Sequence, residues 1–151
     1  MCSENIFSEN FETNGIPVIS IERFHVNGIT SIICDNFQGG KLATQHLIDQ
    51  GCKNLLCICG KGKIDMPADE RVKGFNEVAL NNDVNHSVQI ATYKFYQSMD
   101  YEKIIKSALT KNKDIDGIFC TSDVQAMQLI SYLSREKILV PKDIKIVGYD
   151  D

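Results

Sequence analysis

Along this chain, apolar positions switch between short unbroken runs and stretches where they recur three and four residues apart. The runs fall at 16–21, 30–34, 55–59, 88–92, 117–121 and 144–147. Each has the length and composition of a strand, and 55–59 is apolar throughout, as strands covered on both faces are. Pro17 sits at the start of the first run, where a missing N–H is tolerated, and that strand is expected to be buried. Helical spacing appears in between: Ala43 and Leu47 within 39–50; Val72, Phe75 and Val78/Ala79 within 68–80; Ile104, Ile105, Ala108 and Leu109 within 100–110; and Met127, Ile130 and Leu133 within 123–136. Gly51 is placed to stop the first helix, and Asp123 to cap the last. The Val140-Pro141-Lys142-Asp143 turn leads into the final strand. Strands alternating with helices predict βαβ units, that is, an α/β fold with a parallel sheet between helices. The first 15 residues show no clear period.

Composition narrows the function classes. At 43% hydrophobic and 24% charged the chain is an ordinary globular one, and no apolar run could span a bilayer. The N-terminus has neither a basic segment nor an apolar signal region, so a cytoplasmic protein is expected. Six cysteines then imply free thiols, with Cys57, Cys59 and Cys120 in buried runs. Cys52, Cys57 and Cys59 could be combined with His46 into a metal site. A Cys-x-Cys pair in a strand permits such a site without specifying it, and buried thiols are the commoner outcome, so no metal is expected. A net charge of −4 and the lack of a basic patch argue against nucleic-acid binding by this chain. No nucleophile–base–orienter set is legible, His25 and His86 have no evident partner, and Gly60-Lys61-Gly62-Lys63 lacks P-loop spacing. The chain is expected to be no enzyme and to use no cofactor.

Ligands of open α/β sheets bind beyond the carboxyl ends of the strands. Four places on that edge carry polar groups: Glu22-Arg23, the segment from Lys61 to Arg71, Ser122-Asp123, and Tyr149-Asp150-Asp151. Carboxylates that accept from vicinal hydroxyls, beside an arginine that donates in a planar fork, suit a polyol.

Several segments, in order over roughly residues 16 to 151, resemble the lactose-repressor (LacI/GalR) family of sugar-responsive regulators. They are Ile16-Pro17-Val18-Ile19 through Ile21-Glu22-Arg23; Asp35-Asn36 with Gly39-Gly40, Ala43 and His46-Leu47-Ile48; Gly60 with Arg71, Gly74 and Phe75; Ile118-Phe119-Cys120-Thr121-Ser122-Asp123 with Ala126; and Val140-Pro141-Lys142-Asp143-Ile144 through Val147-Gly148-Tyr149-Asp150-Asp151. Departures are Glu22 where aspartate is commoner, Cys52 in place of a usual histidine, and Ser122 where many relatives carry asparagine.

The resemblance implies a periplasmic-binding-protein-like α/β fold, with 1–36 a remnant of the N-terminal effector subdomain and 37–151 most of the C-terminal one. It implies that a helix-turn-helix head lies outside this chain, so that operator DNA would be reached only through that head. It further implies a small sugar or sugar phosphate as effector, bound by Arg71, Asp150, Ser122 and Glu22. A homodimer contact would lie on the face of the 123–136 helix carrying Val124, Met127, Gln128 and Ser131, with Met127 at its boundary with the core stripe. The alternative is a solute-binding protein or enzyme on the same sheet, for which neither an export signal nor a catalytic set is visible.

Overall fold

A computed structural model describes residues 16–23 and 29–150. His25, Asp151 and the first 15 residues lie outside the described ones. Two short strands, β1 (Ile19–Ile21) and β2 (Thr30–Ile32), pair in parallel as a separate small sheet. Next come α1 (Asn36–Asp49), β3 (Asn54–Gly60), α2 (Glu70–Asn81) and β4 (Asn85–Ala91). The chain continues through α3 (Tyr93–Ser98), α4 (Glu102–Lys111), β5 (Gly117–Cys120), α5 (Asp123–Arg135) and β6 (Lys145–Val147). The second sheet is parallel, in the order β4-β3-β5-β6.

Strand alternation divides the core into two layers. Leu55, Cys57 and Cys59 of β3 and Phe119 of β5 face Ala43 and Leu47 of α1 and Phe75 of α2. Leu56, Ile58, Ile118 and Cys120 face Ile105 and Ala108 of α4 and Leu129 and Leu133 of α5. Helices therefore cover both faces, as the pattern predicts. Burial pushes the Cys57 and Cys120 thiols up from their ordinary pKa, which keeps them neutral and inert. His46 is exposed on α1, away from these thiols, and among the described residues no cluster of His, Cys, Asp or Glu could hold a metal ion.

Local chemistry sets the helix ends. α1 begins earlier than its apolar period because the Asp35 carboxylate accepts from Gln38 N–H at 3.0 Å. It ends in a Schellman motif: Gly51, at φ +87°, donates to Ile48 C=O, and Cys52 donates to Leu47 C=O. The same closure ends α2 with Asp83 and α5 with Lys137 in the left-handed position. The Val140–Pro141 bond in the turn before β6 is cis.

Three expectations are corrected, and one short helix is added. The first strand is not buried: Ile16, Ile19 and Ile21 are exposed and only Ser20 of β1 is covered, because no described element packs on the isoleucine face. The core stripe of α5 is Ala126, Leu129 and Leu133; Met127 and Ile130 face outward, since the helix meets the sheet one position round from the expected seam. Asp123 is the first helical residue of α5, and the extended Ser122 holds the cap position. The short α3 was not anticipated, for Tyr93–Ser98 carries no helical apolar period.

Candidate functional site

β3 has β4 on one side and β5 on the other, so the direction of chain travel across the sheet reverses between β3 and β5. A crevice opens at the carboxyl ends of strands at such a point. Arg71, in the first turn of α2, reaches into it and is buried. It can do so because α1 and α2 cross at Gly40 and Gly74: a Cβ on Gly40 would strike the Arg71 carbonyl, and one on Gly74 the Phe37 carbonyl.

The Arg71 guanidinium is held on several sides. Nε donates to Asn36 Oδ1 at 2.7 Å, and Nη1 donates to the Thr121 carbonyl at 2.6 Å and to Asp150 Oδ1 at 2.8 Å. Its carbon lies 3.7 Å from the centroid of the Tyr149 ring, a stacked cation–π contact. Tyr149 is itself seated on Phe119, which stacks on Phe75, so an aromatic column rises from the core to the arginine. A side chain on Gly39 would collide with the Tyr149 ring. These hydrogen bonds engage Nε and Nη1, and among the described residues none accepts from Nη2.

Asp150 keeps about half of its side chain in solvent while it pairs with Arg71. Its φ is +121°, a strained value for a residue with a Cβ, as is the +52° of Glu22. Glu22 Oε1 accepts from Cys34 N–H at 2.6 Å, and Oε2 accepts from the Asn36 amide at 2.9 Å. Burial by itself would raise the Glu22 pKa. The Cys34 and Asn36 donors, with the positive charge of Arg71, outweigh that and hold it below the ordinary carboxylate range. Three of the four expected site residues, Glu22, Arg71 and Asp150, thus belong to one hydrogen-bonded chain. Ser122 follows the Thr121 carbonyl directly; it is half-buried and makes no side-chain cap bond.

Beside Asp150 lies an open depression of about 360 Å³ lined by Asp123, Gly148, Tyr149 and Asp150. That volume sits at the lower end of the range for small-molecule sites. Above the crevice, Lys61 bridges Asp65 at 2.7 Å and Asp69 at 2.6 Å and so closes the loop after β3. The mixture suits a polyhydroxy ligand: carboxylates to accept and one planar donor.

The residues that the sequence did not bring out are Asn36, Tyr149 and the Thr121 carbonyl. Asn36 sits in the Asp35-Asn36 motif, where the cap role of Asp35 accounts for the pattern. Tyr149 stands among the strand-end residues without an assigned role. A main-chain carbonyl leaves no mark in a sequence.

On α5, Val124, Met127 and Ser131 are exposed, and Ile130 extends the patch. Gln128, between them on the same face, is half-buried and also engaged within the chain: it accepts from Tyr101 N–H at 2.8 Å and donates to the Met99 carbonyl at 2.6 Å. It serves as a tie to the loop between α3 and α4.

Residues 44–151 match a family described as a periplasmic binding protein-like domain. The chain is 28% identical over 148 residues to a sucrose operon repressor of Pediococcus pentosaceus, covering 98% of this chain and 45% of that one. It is 31% identical over 142 residues to a ribose operon repressor of Halalkalibacterium halodurans, covering 94% and 42%. The chain therefore spans under half the length of these relatives. A solved structure from Alkaliphilus metalliredigens QYMF, a periplasmic binding protein/LacI transcriptional regulator complexed with D-xylulofuranose, superposes with a TM-score of 0.77 at 26% identity, over 93% of this chain and 52% of that one. The shared parallel α/β architecture, the family match and these relatives agree: this chain belongs to the periplasmic-binding-protein-like domain family, in the form found in LacI-family transcription regulators.

Proposed function

We propose that this chain is the effector-sensing part of a sugar-responsive transcriptional repressor and that Arg71 and Asp150 are its principal ligand-binding residues. The observation that carries the reading is the Arg71 fork, buried at the sheet's reversal point with Nη2 unspent and the half-exposed Asp150 carboxylate beside it. Sucrose and ribose operon repressors among the relatives, and a sugar in the similar structure, support a sugar as the effector. Ser122, next to the Thr121 carbonyl that Arg71 engages, and Glu22, on the side of the small sheet, are the secondary candidates. Binding would shift an equilibrium between DNA-competent and DNA-incompetent states of the repressor. Operator contact belongs to a helix-turn-helix head outside this chain, and the site lies in the cytoplasm. No step of this role requires catalysis.

The test is a titration of the chain with D-ribose, sucrose and D-xylulose, followed by amide chemical shifts. One sugar is expected to move Arg71, Thr121, Ser122 and the Gly148–Asp150 stretch. A panel that moves none of these, or that moves only distant residues, overturns the assignment.

Pairing of two repressor copies through α5 is part of the same proposal, with Val124, Met127, Gln128 and Ser131 as the contact. A Met127→Glu substitution is expected to abolish self-association in sedimentation runs; equal association by both proteins moves the contact elsewhere.

A further inference from the structure

Asn36 is the first residue of α1 and is almost fully buried, yet capping of that helix falls to Asp35. All of its amide is spent elsewhere. Oδ1 accepts from Arg71 Nε at 2.7 Å, while Nδ2 donates to Glu22 Oε2 at 2.9 Å and to the Cys34 carbonyl at 3.2 Å. Its backbone N–H also donates to Cys34 C=O. Glu22 and Cys34 belong to the segments that leave the small sheet; Arg71 belongs to the four-stranded unit. The neighbouring Arg23 reaches across to the thioether of Met66.

Geometry makes this more than satisfaction of buried polar atoms. The guanidinium is planar, so a bond at Nε fixes the rotation of the whole fork about its long axis. Asn36 at Nε and the Tyr149 ring on the face together orient Nη2. An asparagine is needed for both ends at once, because its carbonyl oxygen serves the cation while its NH₂ serves a carboxylate. Aspartate could serve only the first.

We propose that Asn36 is a positioning residue that sets the plane of the Arg71 guanidinium and couples it to Glu22 at the edge of the small sheet, so that a change at either end is transmitted to the other. The proposal rests on Arg71 being the effector-binding group. It adds a route by which occupancy of the crevice reaches β1 and β2.

The experiment needs no effector. The chain holds only three arginines, Arg23, Arg71 and Arg135, so each side-chain Nε–H gives a resolvable NMR signal. Arg135 makes its bonds through Nη1 and Nη2 and serves as the internal reference. The Arg71 Nε–H is expected to exchange with solvent about tenfold more slowly than that of Arg135, the protection one good hydrogen bond confers. Asn36→Ala removes this protection, while Asn36→Asp, which keeps the acceptor, preserves it. Glu22→Gln is expected to shift the Arg71 Nε–H signal when residue 36 is asparagine and to leave it in place when residue 36 is alanine. Rescue supplies an independent arm. Asn36→Asp sets two carboxylates against each other and displaces the Ile21, Ile32 and Cys34 amide signals. Adding Glu22→Gln restores a donor–acceptor pair with reversed polarity and should return those signals toward their original positions. If Asn36→Ala does not fold, this pair carries the test alone. Arg71 exchanging as fast as Arg135, an undiminished response to Glu22→Gln with alanine at 36, or no rescue in the double variant would each overturn the proposal. A failed sugar titration would leave these results standing, and the converse also holds, so this inference and the sugar reading fail separately.

Discussion

The two sheets of this molecule bury opposite kinds of side chain. In the four-stranded sheet every residue of β5 and Leu55–Cys59 of β3 are buried, with helices on both sides. In the small sheet the isoleucines point outward: Ile21 is 70% and Ile32 55% exposed. The covered side carries Ser20 and Ser31, which face each other across the pair, and each hydroxyl is buried without a hydrogen-bond partner among the described residues. The large sheet is held by apolar burial. The small one is held by backbone pairing and by the Glu22–Asn36–Arg71 connection. Alternation in a strand shows that its two faces differ; which face becomes core depends on what covers it.

The comparison can be broken from either side. The largest effect is expected in the large sheet's layer, where Phe75→Ala removes a ring packed on Phe119 and should cost about 3–5 kcal/mol in urea denaturation. Next is Gly40→Ala, which drives a methyl into the Arg71 backbone at the α1–α2 crossing and should cost about 2–3 kcal/mol while disturbing the site. Smallest are changes in the small sheet. Ile21→Thr should stay within about 0.5 kcal/mol of the parent. Ser20→Ala, which deletes an unpartnered buried hydroxyl, should be neutral or stabilise by up to about 1 kcal/mol. An Ile21→Thr cost matching that of Phe75→Ala would show the isoleucine face to be covered and would end the contrast.

The same contrast explains what was legible in the sequence. Continuous apolar runs such as Leu55–Cys59 and helical stripes such as Phe75 with Val78 and Ala79 announce their elements because both faces, or one whole stripe, are buried in this chain. Ile16–Ile21 looks like such a run, but apolar composition does not say whether a cover is present. Met127 and Ile130 fit a helical period as well as Ala126 and Leu129 do, and the choice between the two seams is made by how α5 rests on β5, which is tertiary information. At the candidate site, polar residues near the strand ends stand out because the crevice rule points to them: Glu22, Arg71, Ser122 and Asp150 are candidates by that rule and by the family resemblance. Asn36 and Tyr149 were hidden because their roles consist of contacts across 35 and 78 positions of the chain, with Arg71 as the common partner.

Asp150→Asn separates most directly a ligand-binding role for Arg71 and Asp150 from that of a structural ion pair. The Asp150 side chain is half in solvent, so its pairing with Arg71 should contribute no more than about 1 kcal/mol to folding. Against the sugar that the wild-type chain binds, the variant's dissociation constant from the shift titration should rise about tenfold or more, the cost of losing a charged acceptor, with the unfolding midpoint nearly unchanged. Equal affinity in the two proteins, or a loss of stability that accounts for the weaker binding, would contradict the account.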